Sequence, residues 1–175
     1  METKLHLYTG EGKGKTTAAM GLALRSLGHG NRVLIAQFVK DGRSGELRAL
    51  ARLPQALVCA GKPVKGFVSR MTAEEKERTA KEQLEQARAL IALMDKERPA
   101  LVVLDELAMA VHLGLLGDQA AADLIDAGLA HGEVAVTGRC APDWLHRRAD
   151  YVSVVTPEKH PYKTEGLKAR KGIEW

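Results

Sequence analysis

Near its start the chain reads Thr9-Gly10-Glu11-Gly12-Lys13-Gly14-Lys15-Thr16-Thr17. Glycines at this density let the backbone take φ > 0, so that successive N–H groups converge on one point and can surround an anion. A helix opening at residue 16 adds about half a positive charge aimed at the same place. Lys15 supplies a full charge, and the Thr16 hydroxyl can ligate Mg²⁺. Gly10, Glu11, Gly12, Lys13, Gly14, Lys15, Thr16 and Thr17 are therefore candidates for holding the triphosphate of ATP. Two features are unusual. The ordinary pattern G-x-x-x-x-G-K-[ST] begins with glycine, where this chain has Thr9. Glu11 puts an acid among phosphate ligands, which is unfavourable unless it points outward or Lys13 and the metal offset it.

The other half of such a site is an acid at the end of a buried strand. Leu101-Val102-Val103-Leu104 runs into Asp105-Glu106. A carboxylate there can hold a divalent ion directly or through water while the metal bridges phosphate oxygens. Thr16, Glu106 and Asp105 are the candidate ligands for Mg²⁺ or Mn²⁺. Glu106 is expected to be the direct ligand, with Asp105 capping the next helix. The histidines, at 6, 29, 112, 131, 146 and 160, lack metal-site spacing. No His/Asp or Ser/His arrangement offers a general base.

Positioning these groups falls to alternating strands and helices. Residues 4–9 alternate as a strand and end in the glycine cluster. Residues 16–27 carry Ala19, Met20, Ala23, Leu24 and Leu27 at helical spacing, and Gly28-His29-Gly30 stops them. Residues 32–39 are almost unbroken in apolar character, as in a strand buried on both faces. A short helix at 45–53, a strand at 56–59 and a Gly-, Lys- and Pro-containing loop at 60–70 follow. Thr72-Ala73-Glu74-Glu75 has capping-box spacing and opens a helix reaching about Lys96, with a charged solvated face.

Beyond the strand at 101–104 come a helix to about His112, a helix capped by Asp118 through Leu129, and a strand at 133–137. A helix at 142–148 begins with proline in its first turn, the last strand is 151–155, and the tail from Thr156 is polar without period. Alternation of this kind predicts one α/β domain over residues 1–175, a mostly parallel RecA-like sheet with helices on both faces.

Composition agrees. At 175 residues and 45% hydrophobic, one domain buries roughly 70% of its unfolded surface and needs no staple. Cys59 and Cys140 make no disulfide or metal pattern and fit a reducing cytosol. No apolar run approaches about 18 residues, so a cytoplasmic protein without membrane partners is expected. The net charge of +4 comes without a basic stripe and interleaved aromatics, which argues against nucleic acid.

The loop from Thr9 to Ala19 resembles that of the corrinoid adenosyltransferases of the ATP:cob(I)alamin type, which share the variant first position. The likeness continues through Gln37-Phe38-Val39-Lys40, Gly45-Glu46, Val103-Leu104-Asp105-Glu106-Leu107 and Thr137-Gly138-Arg139. It is sharpest in the tail, at Ala149-Asp150, Lys159-His160-Pro161-Tyr162, Gly166, Ala169 and Lys171-Gly172-Ile173-Glu174-Trp175. The resemblance implies attack by Co(I) of a reduced corrinoid on the 5′ carbon of ATP, with triphosphate expelled. It also implies a homodimer and an electron-donating reductase as a candidate partner. His160 matches the family tail and is the one histidine expected to function. Arg139 and Arg25 can face nucleotide or corrinoid; otherwise they are surface charges.

One segment departs from the family, whose Gly-Phe-Thr-Trp loop sets aromatics against the corrinoid's lower face. Here it reads Gly66-Phe67-Val68-Ser69. Phe67 keeps the aromatic and is a catalytic candidate beside Lys15 and Glu106, with core packing as its other reading. Two further functions stay open from sequence. One is phosphoryl transfer by a small-molecule kinase or ATPase, although the residue that would orient a nucleophile is not evident. The other is a non-catalytic ATP- or corrinoid-binding regulator.

Overall fold

A computed structural model describes residues 2–40, 44–61, 64 and 68–173. β1 (Leu5–Thr9) leads through the glycine loop into α1 (Lys15–Gly28), then β2 (Val33–Gln37), α2 (Gly45–Leu50) and β3 (Ala56–Ala60). A 3₁₀ turn at Val68–Arg70 precedes α3 (Ala73–Glu97), β4 (Leu101–Asp105) and α4 (Leu107–His112). The chain then runs through α5 (Asp118–Leu129), β5 (Glu133–Thr137), α6 (Asp143–Arg148), β6 (Tyr151–Val154) and α7 (Pro161–Glu165). Among the described residues the strands form one 6-stranded sheet in the order β3-β2-β4-β5-β1-β6. Every pairing in it is parallel.

Strand alternation divides the core. Val33 and Ile35 of β2, Leu101 and Val103 of β4, and Ala135 of β5 pack with Ala19, Met20 and Ala23 of α1 and with α2. Their neighbours Leu34, Ala36, Val102, Leu104, Val134 and Val136 face the other way, against α3, α4, α5 and α6. The unbroken apolar runs are thus strands covered on both faces, each buried Leu, Ile or Val stabilising by about 1.5–3 kcal/mol. The capping box also forms: Thr72 Oγ1 accepts from the Glu75 amide at 3.1 Å, and Glu75 Oε2 accepts from the Thr72 amide at 2.9 Å.

Three local expectations change. Gly117, not Asp118, is the residue before α5, leaving Asp118 in the first turn where its charge meets the helix dipole. Pro142 likewise stands just outside α6 in extended conformation. The tail is not without structure, because His160 accepts the Tyr162 amide, Pro161 opens α7, and Gly166 closes it at φ +67°. A one-turn helix held by such a cap is too short to show a hydrophobic period.

Candidate nucleotide site

Thr9, Gln37, Asp105 and Thr137 are the last residues of β1, β2, β4 and β5. All four are buried and polar, at 4%, 1%, 0% and 0% exposure. In a parallel sheet the strand ends are where ligands enter. Here a cavity of about 610 Å³ opens, lined by the loop from Gly12 to Thr17 and by Gln37, Lys40, Glu106, Arg139 and His160.

The loop explains why Thr9 is tolerated. Thr9 still belongs to β1, pairs with Val154 of β6, and its carbonyl accepts the Val155 amide at 2.8 Å. Turning begins only at Gly10, at φ +97°, where a Cβ would stand 2.5 Å from the Val155 carbonyl oxygen. The Gly12 amide donates to that same oxygen at 2.7 Å, so it braces the loop against the end of β6. Gly14 differs: a Cβ there would meet open space, and its φ of +120° is what requires glycine. Lys15 is buried, with its ammonium donating to the Gly12 carbonyl at 2.6 Å. Burial, then the Arg139 charge, lowers its pKa from the usual lysine value.

The acid pair corrects one expected role. Asp105 does not cap the next helix; it completes β4 in register with Gln37 of β2. Its Oδ1 accepts from Thr16 Oγ1 at 2.8 Å and from Thr137 Oγ1 at 2.7 Å. Its Oδ2 accepts from Lys40 Nζ at 2.7 Å and Gln37 Nε2 at 2.9 Å. Glu106 is the residue just before α4, at φ +62°, and its side chain makes no capping bond there. Its amide donates to Thr137 Oγ1 at 3.0 Å, and its side chain lines the cavity. Burial raises the pKa of Glu106, against the lowering effect of Lys40.

The remaining expected residues divide. Glu11 does point outward, in an ion pair with Arg139 at 3.2 Å, and Arg139 lines the cavity. Lys13, Thr17 and His160 line it too. His160 Nδ1 accepts the Tyr162 amide at 3.2 Å. Arg25 is not brought in: it is exposed, ten residues beyond Lys15 on α1 and so about 15 Å along the axis. Gly66 and Phe67, with Glu174 and Trp175 of the tail, lie outside the described residues. Gln37, Lys40, Ser44, Glu46 and Thr137 escaped sequence reasoning as site residues. For Gln37 and Thr137 the missed signal was a polar residue closing an apolar strand.

The donors suit a hard divalent cation. Thr16 Oγ1 and the carboxylates of Asp105 and Glu106 are oxygens, and a cationic nitrogen, Lys40 Nζ, already lies among them. Among the described residues no group of three or more His, Cys, Asp or Glu could hold a metal.

Sheet, loop and acid together define an α/β protein of phosphate-loop architecture. Residues 2–175 match the family described as ATP:corrinoid adenosyltransferase BtuR/CobO/CobP, and the chain belongs to that family. It is 35% identical over 173 residues to the corrinoid adenosyltransferase of Pseudomonas aeruginosa, covering 98% of this chain and 83% of that one. Against the corrinoid adenosyltransferase CobA of Salmonella typhimurium identity is 34%, over 97% of this chain and 84% of the relative. The Escherichia coli K12 corrinoid adenosyltransferase is 33% identical with the same coverage, 97% and 84%.

Proposed function

We propose that the chain transfers the 5′-deoxyadenosyl group of ATP to Co(I) of a reduced corrinoid and releases triphosphate. The cobalt electron pair attacks C5′, the Co–C bond forms, and the C5′–O bond breaks with its electrons leaving on triphosphate. Co(I) carries no proton, so the reaction needs no general base. The observation that carries this reading is the gathering of Lys15, Lys40, Arg139 and Thr16 around one cavity, with the buried Asp105 bonded to Thr16 behind its wall. That arrangement suits positioning and stabilisation of charge on a leaving triphosphate. The histidine–carboxylate pairs His6–Glu133 and His131–Asp95 lie toward the opposite ends of the strands, away from this chemistry.

In this reading Gly10, Gly12 and Gly14 shape the loop, its remaining amides and Lys15 hold phosphate oxygens, and Arg139 and His160 complete the wall. Thr16, Asp105 and Glu106 hold Mg²⁺ or Mn²⁺, which when bound supplies positive charge at the phosphates. Phe67 packs against the corrinoid. We propose further that it works as a cytoplasmic homodimer served by a reductase, as the family resemblance suggests. No described helix is long and apolar enough to cross a membrane, and β6 leaves Tyr151, Val152 and Val154 exposed at a sheet edge a second copy could cover.

The test is incubation with ATP, Mg²⁺ and chemically reduced cobalamin, following the absorption spectrum and the phosphate product. A Co–C spectrum with intact triphosphate is expected. ADP as product would move the assignment to phosphoryl transfer, and binding without turnover would leave a regulator.

A further inference from the structure

Lys40 takes a position that its own sequence neighbourhood disfavours. It follows Val39, whose φ is +59°. A β-branched residue in the left-handed region is a backbone outlier, and such strain persists only where the surrounding structure holds it. What the turn achieves is delivery of the Lys40 ammonium into the acid cluster. Nζ lies 2.7 Å from Asp105 Oδ2, 3.1 Å from Thr16 Oγ1 and 3.7 Å from Glu106 Oε1. These are the same three side chains whose oxygens fit a divalent ion. Burial disfavours the charge on Lys40, but Asp105 and Glu106 outweigh it and hold its pKa above the usual lysine value.

An ammonium and a divalent cation cannot share one set of oxygens, because like charges at that separation repel strongly. We propose that Lys40 is the resident cation of this site in the nucleotide-free protein, holding Thr16, Asp105 and Glu106 in ligating positions until metal-bound ATP displaces it. Metal alone must expel an ammonium that already offsets one of the two carboxylate charges, and it gains few protein ligands in return. With a triphosphate in the cavity the exchange becomes favourable. The released ammonium stays on the cavity wall, where phosphate oxygens give it a new partner. Lys40 thereby ties metal entry to nucleotide entry and keeps bare metal out of the empty site.

This inference rests on the assignment of the metal to Thr16, Asp105 and Glu106, and its test separates the two. Mn²⁺ binding to the 175-residue chain is measured by electron paramagnetic resonance of the free ion, with and without a non-reactive ATP analogue, each against the same solution lacking protein. Wild type is expected to bind Mn²⁺ weakly alone and tightly with the analogue. Lys40→Met should bind Mn²⁺ alone about tenfold or more tightly than wild type, within the usual range of coupling between sites. Its metal-free melting temperature should fall, and Mn²⁺ should raise it further than it raises that of wild type. Lys40→Arg, which keeps the charge, should remain weak. Lys40→Gln carries the same expectation as the methionine variant if the latter fails to fold. Equal Mn²⁺ affinity without nucleotide in wild type and a folded neutral variant overturns the proposal. Absence of Mn²⁺ binding in every protein, even with the analogue, overturns the metal assignment instead.

Discussion

The Thr16 hydroxyl donates to Oδ1 of Asp105 at 2.8 Å, across 89 residues of sequence. The same carboxylate oxygen accepts from Thr137 at the end of β5, which lies between the loop strand β1 and the acid strand β4. Loop, acid and intervening strand are thus tied together by the protein's own hydrogen bonds. Positioning done in advance is a source of rate when the chemistry itself needs no proton transfer.

Because Asp105 anchors this network, its loss should damage the fold, while loss of Glu106 should damage only turnover. Asp105→Ala takes from the Lys40 ammonium its nearest carboxylate and leaves it Glu106 at 3.7 Å, and breaking a buried pair costs about 3–5 kcal/mol. The lower end applies, since Lys40 is 31% exposed. Glu106→Ala should leave the melting temperature near wild type or above it, because burial already opposes the Glu106 charge. Melting curves and metal-dependent turnover, measured on both variants, check this. An Asp105→Ala protein as stable as wild type would make that carboxylate a ligand alone.

Lys15→Ala should keep the fold and lose ATP. The variant sacrifices one bond to the Gly12 carbonyl, about 1 kcal/mol in the free protein. With ATP bound, removing a desolvated charge partner costs about 2–5 kcal/mol, or roughly 30- to several-thousand-fold in affinity. Calorimetry returning wild-type affinity would sink the phosphate-loop reading.

The acid limb of stability should contain a contribution from Asp150. Its Oδ2 accepts the Leu5 amide at 2.8 Å, and this bond, with the Lys4 charge in support, lowers its pKa below the ordinary 3.8. A carboxylate with a depressed folded pKa adds stability that is complete above 3.8. That stability is lost as pH falls through the lower folded value. Urea unfolding across this range should show wild type and Asp150→Ala converging as pH drops. A difference independent of pH would remove Asp150 as the cause.

Phe67 can be tested by where turnover starts. If it packs on the corrinoid, Phe67→Ala should slow reactions begun from Co(II), whose lower ligand must be displaced before reduction. Reactions begun from Co(I) should suffer much less, and ATP affinity should hold. A core role predicts a loss of roughly 3–5 kcal/mol in stability, with both assays declining together.

Much of this protein was legible because its signals are local. The positive φ at Gly10 and Gly14 is a conformation glycine adopts without strain, and the helix after the loop announces the anion site. Unbroken apolar runs such as 101–104 announce strands covered on both faces, and Thr72 with Glu75 announces a helix start. Other decisions belonged to the tertiary structure. Asp105 and Glu106 are neighbours in sequence, yet strand register sets one beside Gln37 while a left-handed turn sends the other to the cavity wall. Arg25 lay in a plausible helix but too far along it. Gln37, Thr137 and Asp105 become partners only because β2, β4 and β5 are adjacent, an order that chain sequence does not spell out. Lys40 reaches the acids through a strained valine that every local preference argues against. Hydrogen bonding to a buried carboxylate depends on which strand ends meet around it, and that is a property of the assembled sheet.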